Sequence, residues 1–109
     1  MSFEITHHFD MSKNTWNVSL SGEIDIFNSA DMKAELLKLL DEKNAHLVIE
    51  CSKLEYIDST ALGVLVAILK NVKLYSGEMR LINVRPNLLK LFKITNLDKV
   101  FIIEGGENV

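Results

Sequence analysis

Asp58, Ser59 and Thr60 place a carboxylate and two hydroxyls directly before an aliphatic run from Ala61 to Leu69. An aspartate in front of a helix is a good N-cap, because its carboxylate accepts hydrogen bonds from the unpaired N–H groups of the first turn. Ser59 then lies in that first turn, where its hydroxyl can carry a phosphate of about −1.5 to −2 charge. The helix N-terminus favours such an anion, whereas Asp58 repels it. The residues alone leave open a plain cap or a regulated site, and they favour the cap.

The histidines and the single cysteine form no recognisable catalytic or metal-binding pattern. His7 and His8 are adjacent in a predicted strand and point to opposite faces, so with His46 they are interpreted as structural or surface residues. Cys51 ends a predicted buried strand and is interpreted as a core thiol. No glycine-rich phosphate loop occurs, and Ser59 is not in a GxSxG elbow. We therefore expect no catalysis, no metal and no cofactor in this chain.

Glu23 and Asp25 are a second pair of acidic residues, two positions apart in a predicted loop. A solvated loop explains them as well as a functional site does. They also leave open a small nucleotide-binding or hydrolytic domain in which Asp25, Asp58 and Ser59 form the site.

The bulk composition predicts one globular domain that spans residues 1–109, since a chain of this length supports a single core. The net charge is −3 and acids and bases are interspersed, so we expect no nucleic-acid partner. The run from Ala61 to Leu69 is too short to cross a bilayer. The start Ser2-Phe3-Glu4-Ile5 has no cationic region before an apolar stretch, so we expect no signal peptide. We expect a cytoplasmic protein that does not associate with a membrane.

Hydrophobic periodicity predicts an α/β fold with the order β-β-α-β-α-β-α-β. The predicted strands are Phe3–Phe9, Trp16–Leu20, His46–Glu50, Met79–Asn83 and Val100–Ile103. The predicted helices begin at an Asn28 or Ser29 cap, at Asp58, and after Pro86, and the last two end near Tyr75 and Thr95. Ser21–Asn28 and the stretch with Ser52, Lys53 and Glu55 are predicted loops, and Gly105-Gly106 a loose chain end. A mixed sheet of about five strands with helices on one side follows.

The predicted second helix is apolar on nearly every side. Its expected core stripe is Leu62, Leu65, Val66 and Leu69, and its other side carries Ala61, Val64, Ala67 and Ile68. Such a helix is either central, with neighbours on both flanks, or it presents a docking surface. A central position explains the middle of the helix better than the first turn, where Ser59, Thr60 and Gly63 are small.

Two motifs resemble those of a known family. The run from Asp58 to Val64, DSTALGV, resembles the phosphorylation motif of the anti-sigma factor antagonists, which are small STAS-domain proteins of bacterial partner-switching pathways. Gly22-Glu23-Ile24-Asp25 resembles the other signature of that family, at the end of the second strand. The Arg85-Pro86 turn before a short apolar helix fits as well. The resemblance covers nearly the whole chain, from about Phe3 to Ile103.

The resemblance implies a phosphorylation-gated antagonist. Such a protein binds an anti-sigma factor that is also a serine kinase, and the sigma factor is then released. The kinase, which holds ATP and Mg²⁺, phosphorylates the serine after the aspartate, here Ser59 and less readily Thr60. The added charge weakens the complex, and a serine phosphatase reverses it. The implied docking residues are Glu23, Asp25, Asn28, Asp58, Ser59, Thr60, Ala61 and Gly63.

Two points stay open at the level of sequence. Ile26-Phe27 follow Asp25 and belong either to the core or to the docking surface. The family also includes interaction modules that no kinase modifies, in which Ser59 would be only structural.

Overall fold

The computed structural model describes residues 2–105 and contains one five-stranded sheet. The strands are β1 (Phe3–Asp10), β2 (Thr15–Ile24), β3 (His46–Ile57), β4 (Met79–Val84) and β5 (Ile102–Gly105). The helices are α1 (Ser29–Glu42), α2 (Ser59–Leu74) and α3 (Pro86–Ile94), followed by a 3-10 turn at Leu97–Lys99. The predicted element order is confirmed.

The strands lie side by side in the order β1-β2-β3-β4-β5. β1 and β2 form an antiparallel hairpin, whereas β2, β3, β4 and β5 are parallel to one another. Each parallel pair is joined by a helical crossover, which is the connection that parallel neighbours require. The mixed α/β sheet predicted from the sequence is therefore confirmed.

The core lies on one face of this sheet. Along β2 the side chains of Trp16, Val18 and Leu20 are buried, while Asn17 and Ser19 between them remain half-buried. β3 and β4 repeat the pattern, because successive strand residues point to opposite faces. The buried residues of the helices join the same cluster, so the helices cover that face.

α2 is the central helix and packs against both α1 and β3. Of the predicted stripe residues, Leu62, Leu65 and Leu69 are buried, whereas Val66 is only half-buried. Ala61 and Ile68 are buried as well, although the sequence pattern put them on the other side. A helix with two packed flanks buries a wider sector than one amphipathic stripe, which explains the difference. None of the helices in the part of the chain described is long and apolar enough to cross a membrane.

Two strands extend further than predicted. β2 continues to Ile24 and β3 to Ile57, through the stretches Ser21–Ile24 and Ser52–Glu55 that the polar residues marked as loops. These segments pair with each other, for example Glu23 with Tyr56, across register shifts that absorb the irregular spacing. Sequence periodicity missed them because their pairing is non-local.

The C-terminal strand also differs from the prediction of Val100–Ile103. A left-handed Asn96 (φ 61°) ends α3, and the 3-10 turn that follows delays the strand to Ile102–Gly105. Phe101, just before the strand, is buried edge-on against Phe92, with ring centroids 5.6 Å apart. The loose end predicted at Gly105-Gly106 is wrong for Gly105, which is the last residue of β5, and Gly106 lies outside the described residues.

Candidate functional site

The motif residues meet where β2 and β3 end together. Ile24 and Ile57 are paired in register, and Asp25 and Asp58 follow them directly. The Asp58 N–H donates to the Ile24 carbonyl at 3.2 Å, which continues the pairing by one step. The carboxyl ends of parallel strands are where open α/β sheets usually bind their ligands. The two acidic motifs, far apart in sequence, are thus neighbours.

Asp58 joins the two loops through its carboxylate. Oδ1 accepts the N–H of Ala61 at 2.9 Å, which is the N-cap bond of α2. Oδ2 accepts the N–H of Ile26 at 2.9 Å, from the loop between β2 and α1. The predicted cap is confirmed, and the second bond is an addition to it. Both oxygens of this half-buried carboxylate are therefore held by backbone donors on different segments.

Asp25 and Asn28 fold the loop between β2 and α1 into a tight turn. The Asp25 Oδ1 accepts the N–H of Phe27 at 2.8 Å, and the Asp25 carbonyl accepts the N–H of Ser29 at 2.8 Å. Asn28 accepts the Asp25 N–H at 2.8 Å and donates to the Glu23 carbonyl at 3.0 Å. Asn28 precedes α1 but makes no side-chain cap bond to it, which corrects the predicted capping role.

The tip of this turn is apolar and exposed. Phe27 is 89% and Ile26 63% exposed, so both are surface residues and not core. Tyr56, on the paired strand β3, is 45% exposed. Large apolar side chains held outward by an ordered turn are typical of a docking surface. We call Ile26, Phe27, Tyr56, Ser59 and Thr60 the switch surface.

The first turn of α2 presents its hydroxyls outward. Ser59 and Thr60 are exposed, and among the described residues neither hydroxyl has a hydrogen-bond partner. Gly63, one turn on, is also exposed, and a Cβ there would contact nothing within 4 Å. Ala61 is fully buried, so its side chain is not on this surface, although its N–H takes part in the cap.

A groove of about 530 Å³ borders the switch surface between α2 and α3. Ser59 and Leu62 line one side, and Leu88 and Leu91 line the other. Asn87 fixes the start of α3 by donating to the Glu55 carbonyl at 3.1 Å. The groove gives an apolar partner side chain a place beside Ser59.

The other side chains that could do chemistry, Cys51, Glu50 and His46, are buried or hydrogen-bonded within the domain. Burial, and secondarily the charge of Glu50, raises the pKa of the Cys51 thiol to about 12, so the nucleophilic thiolate is scarce. Partial burial opposes ionisation of Glu50, but hydrogen bonds from Ser52 and Asn83 outweigh it and lower the Glu50 pKa. The imidazole Nδ1 of His46 accepts the Glu78 N–H at 3.0 Å. Residues 2–105 contain no cluster of His, Cys, Asp or Glu with metal-binding geometry.

The sequence left the apolar part of the site undecided, because Ile26 and Phe27 could belong either to the core or to a docking surface. The exposure of Ile26 and Phe27 depends on hydrogen bonds from their N–H groups to the carboxylates of Asp58 and Asp25. Asp58 is 32 positions from Ile26, so no local pattern reveals that bond. Tyr56 follows directly after the stretch with Ser52, Lys53 and Glu55 that is predicted to be a loop, so its place on a strand beside β2 could not be predicted. The only available signal was two large apolar residues in an otherwise polar segment, which is compatible with either burial or exposure.

Comparison with known families decides the class of the protein. The STAS domain model matches residues 9–108, almost the entire chain. The chain belongs to the STAS domain family. The family resemblance predicted from DSTALGV and GEID is confirmed by this match.

Relatives of this STAS domain include anti-sigma factor antagonists. It is 36% identical over 99 residues to the anti-sigma-B factor antagonist of Bacillus subtilis, which covers 87% of this chain and 90% of that protein. The crystal structure of an anti-sigma factor antagonist from Mycobacterium paratuberculosis superposes with a TM-score of 0.77 and 25% identity, over 93% of this chain and 86% of that chain. The phosphorylated form of the Bacillus cell fate determinant SpoIIAA shares the fold, with a TM-score of 0.70 and 18% identity, over 97% and 93% of the two chains.

Proposed function

We propose that this STAS domain is an anti-sigma factor antagonist whose binding is controlled by phosphorylation of Ser59. It binds an anti-sigma factor that is also a serine kinase, and this releases the sigma factor. Two of the proteins compared above are anti-sigma factor antagonists, and the third structure is a phosphorylated form. The observation that carries the proposal is the exposed Ser59 hydroxyl, which follows an aspartate already engaged in the fold.

The switch surface supplies binding energy through its apolar residues. Burying Ile26 or Phe27 fully against a partner stabilises a complex by about 1.5 to 3 kcal/mol each. Their turn is already ordered by Asp25 and Asn28, so little conformational entropy is lost when the complex forms. Aromatic anchors of this kind commonly dominate an interface.

Phosphorylation changes the charge of this surface without dismantling the fold. The kinase transfers the γ-phosphoryl group of ATP to the Ser59 Oγ, the hydroxyl loses its proton, and ADP leaves. ATP and Mg²⁺ are held by the kinase. The product carries about −1.5 to −2 charge beside Asp58 and the apolar anchors, and docking would have to desolvate it. A serine phosphatase removes the group and restores binding.

Phosphorylation in vitro tests the assignment of the site. The protein is incubated with its cognate kinase and ATP–Mg²⁺, and the modified residue is located by mass spectrometry. We expect one phosphate, on Ser59, that is absent from Ser59→Ala and retained in Thr60→Ala. Modification confined to Thr60, or to a residue outside the switch surface, would contradict the proposal.

Binding of the kinase tests the charge mechanism. We expect Ser59→Asp to weaken binding at least tenfold, whereas the isosteric, uncharged Ser59→Asn keeps an affinity near that of the wild type. Equal affinities of these two variants would instead indicate a constitutive interaction module in which Ser59 is structural. Calorimetry of the isolated domain with ATP tests the nucleotide-binding alternative, for which we expect no heat of binding.

The apolar anchors provide a separate test. Phe27→Ala should weaken kinase binding about tenfold or more, because it removes an exposed aromatic anchor and leaves the core untouched. Leu74→Ala is the matched control. Leu74 is 85% exposed but lies at the other end of α2, fifteen residues and about 22 Å from Ser59. Equal losses in the two variants would exclude a localised docking surface.

A further inference from the structure

The two edges of the sheet differ in how open they are to further pairing. Proteins usually protect sheet edges with short strands, bulges, proline or covering segments. β5 is a short edge of four residues, and its pairing with β4 is irregular. β1 runs for eight residues without proline, in unbroken register with β2, and among residues 2–105 no strand pairs with its outer side.

The outward-pointing backbone groups of β1 can be assigned from its register. The Glu23 N–H donates to the Ser2 carbonyl at 3.1 Å, and the antiparallel pairing advances one residue at a time from there. In such a ladder alternate residues direct their backbone groups to the neighbouring strand. The even-numbered residues of β1 therefore bond to β2. The free groups are those of Phe3, Ile5, His7 and Phe9.

We propose that two copies of this chain pair through β1, antiparallel, to form a symmetric dimer with a continuous sheet. A two-fold axis perpendicular to the sheet keeps the open face of both copies on one side, so opposed residues must both be odd or both be even. An axis at Thr6 opposes Phe3 to Phe9 and Ile5 to His7. It is the one position that pairs all four outward residues of both strands. With the axis at Ile5 or His7, one outward residue of β1 has no counterpart within β1 of the other copy.

The side chains favour the same register. With the axis at Thr6, Glu4 of each copy lies opposite His8 of the other, in the non-hydrogen-bonded positions where side chains approach most closely. Both residues are exposed, and imidazole can donate a hydrogen bond to a carboxylate in either protonation state. Moving the axis to His7 would instead oppose Glu4 to Asp10, which places like charges together.

The second copy would also cover apolar side chains that one copy leaves half-buried. Phe3, Ile5 and Phe9 lie on the helical side of β1 and pack only partly against the core. In the proposed register, Phe3 of each copy lies opposite Phe9 of the other copy, so the dimer contains two such phenylalanine pairs. β1 contains none of the switch-surface residues, so this inference does not depend on the function of Ser59.

Amide exchange tests the pairing residue by residue. NMR exchange rates are compared at about 10 µM and about 1 mM protein, a range that spans weak dimerisation. We expect the amides of Phe3, Ile5, His7 and Phe9 to exchange at least tenfold more slowly at the high concentration. The intervening even-numbered amides, already bonded to β2, should not change. Absence of this alternation, or a monomer throughout in sedimentation equilibrium, would overturn the proposal.

Two variants with matched controls identify the surface. His7→Pro removes an outward N–H and leaves the bonds to β2 intact, so it should raise the dimer Kd at least tenfold. His7→Ala loses the same ring contact with Trp16 but keeps the N–H, and should dimerise like the wild type. Circular dichroism verifies that both variants fold. Dimerisation of a folded His7→Pro at the wild-type Kd would overturn the proposal.

The charge pair gives an independent arm. His8→Glu opposes two carboxylates and should weaken the dimer at least tenfold, and adding Glu4→Lys in that background should restore it. Asn44→Glu adds the same charge at an exposed site after α1 and should leave the Kd within twofold. Equal effects of His8→Glu and Asn44→Glu would contradict the register.

Discussion

Removing the Asp58 carboxylate should destabilise the whole domain and not only the start of α2. Its two oxygens accept the N–H groups of Ala61 and Ile26, each at 2.9 Å. Loss of an aspartate N-cap costs about 1 kcal/mol. A hydrogen bond to a charged acceptor contributes about 1.5 to 3 kcal/mol. Because the Asp58 carboxylate is only half-buried and water competes for it, we assign about 1 kcal/mol to its bond with the Ile26 N–H. Asp58→Ala should therefore lower the free energy of unfolding by about 2 kcal/mol.

The substitution Asp58→Asn separates the two bonds. The amide oxygen can keep the cap to Ala61, but the NH₂ group cannot accept the Ile26 N–H. We expect Asp58→Asn to lose about half as much stability as Asp58→Ala. Asp41→Ala is the control, because Asp41 is exposed and makes no side-chain hydrogen bond within the described residues. It should stay within about 0.5 kcal/mol of the wild type.

Urea unfolding followed by circular dichroism measures these differences, and amide exchange at Ile26 reports the second bond directly. Opening of the loop should speed exchange of the Ile26 amide in both Asp58 variants. An Asp58→Ala protein within about 0.5 kcal/mol of the wild type would refute the claim that this carboxylate joins the two loops.

Three further predictions concern the fold. Gly22 has φ +90° and an added Cβ would overlap the Ser2 carbonyl oxygen, so Gly22→Ala should lower the free energy of unfolding by about 2 to 3 kcal/mol in urea unfolding. Gly63→Ala, on open helix surface, should raise it by about 0.5 to 1 kcal/mol. Cys51, with its pKa raised to about 12 by burial, should react with Ellman's reagent at pH 8 only after unfolding; rapid native labelling would contradict its burial. Partial burial opposes ionisation of Glu50, but its hydrogen bonds outweigh this, so its folded pKa lies below its unfolded value near 4.5. The resulting stability is present above 4.5 and lost as the pH falls below it, so Glu50→Gln should show a shallower acid loss in urea titrations.

Local patterns predicted the parts of the fold that local physics determines. The alternation of Trp16, Val18 and Leu20 reports a half-buried strand because only one face of the sheet meets the core. Asp58 was recognised as a cap because its residue type and its position before an aliphatic run suffice for that bond. These predictions needed no knowledge of distant partners.

Non-local pairing accounts for what the sequence did not predict. The polar stretch Ser52–Glu55 is a strand only because β2 lies beside it. Asn28 could equally well have capped α1, but it bonds to Asp25 and Glu23 once the turn is closed. The outward position of Phe27 depends on that same closure. Residue type left each of these alternatives open, and tertiary contacts selected one.

The division of labour between Asp58 and Ser59 predicts a measurable coupling. An anionic group at position 59 gains from the helix N-terminus but is repelled by the Asp58 carboxylate, so Ser59→Asp should change stability little in the wild-type background. In the Asp58→Ala background the repulsion is gone and the same substitution should be favourable. A double-mutant cycle in urea should therefore give a coupling free energy of about 0.5 to 1 kcal/mol, smaller at high salt. Ser59→Asn, which adds no charge, should give none in the same cycle. Strict additivity for Ser59→Asp would mean that the Asp58 carboxylate does not repel a charge at position 59. The charge of a phosphate would then change only the contacts with the partner and not the stability of the free domain.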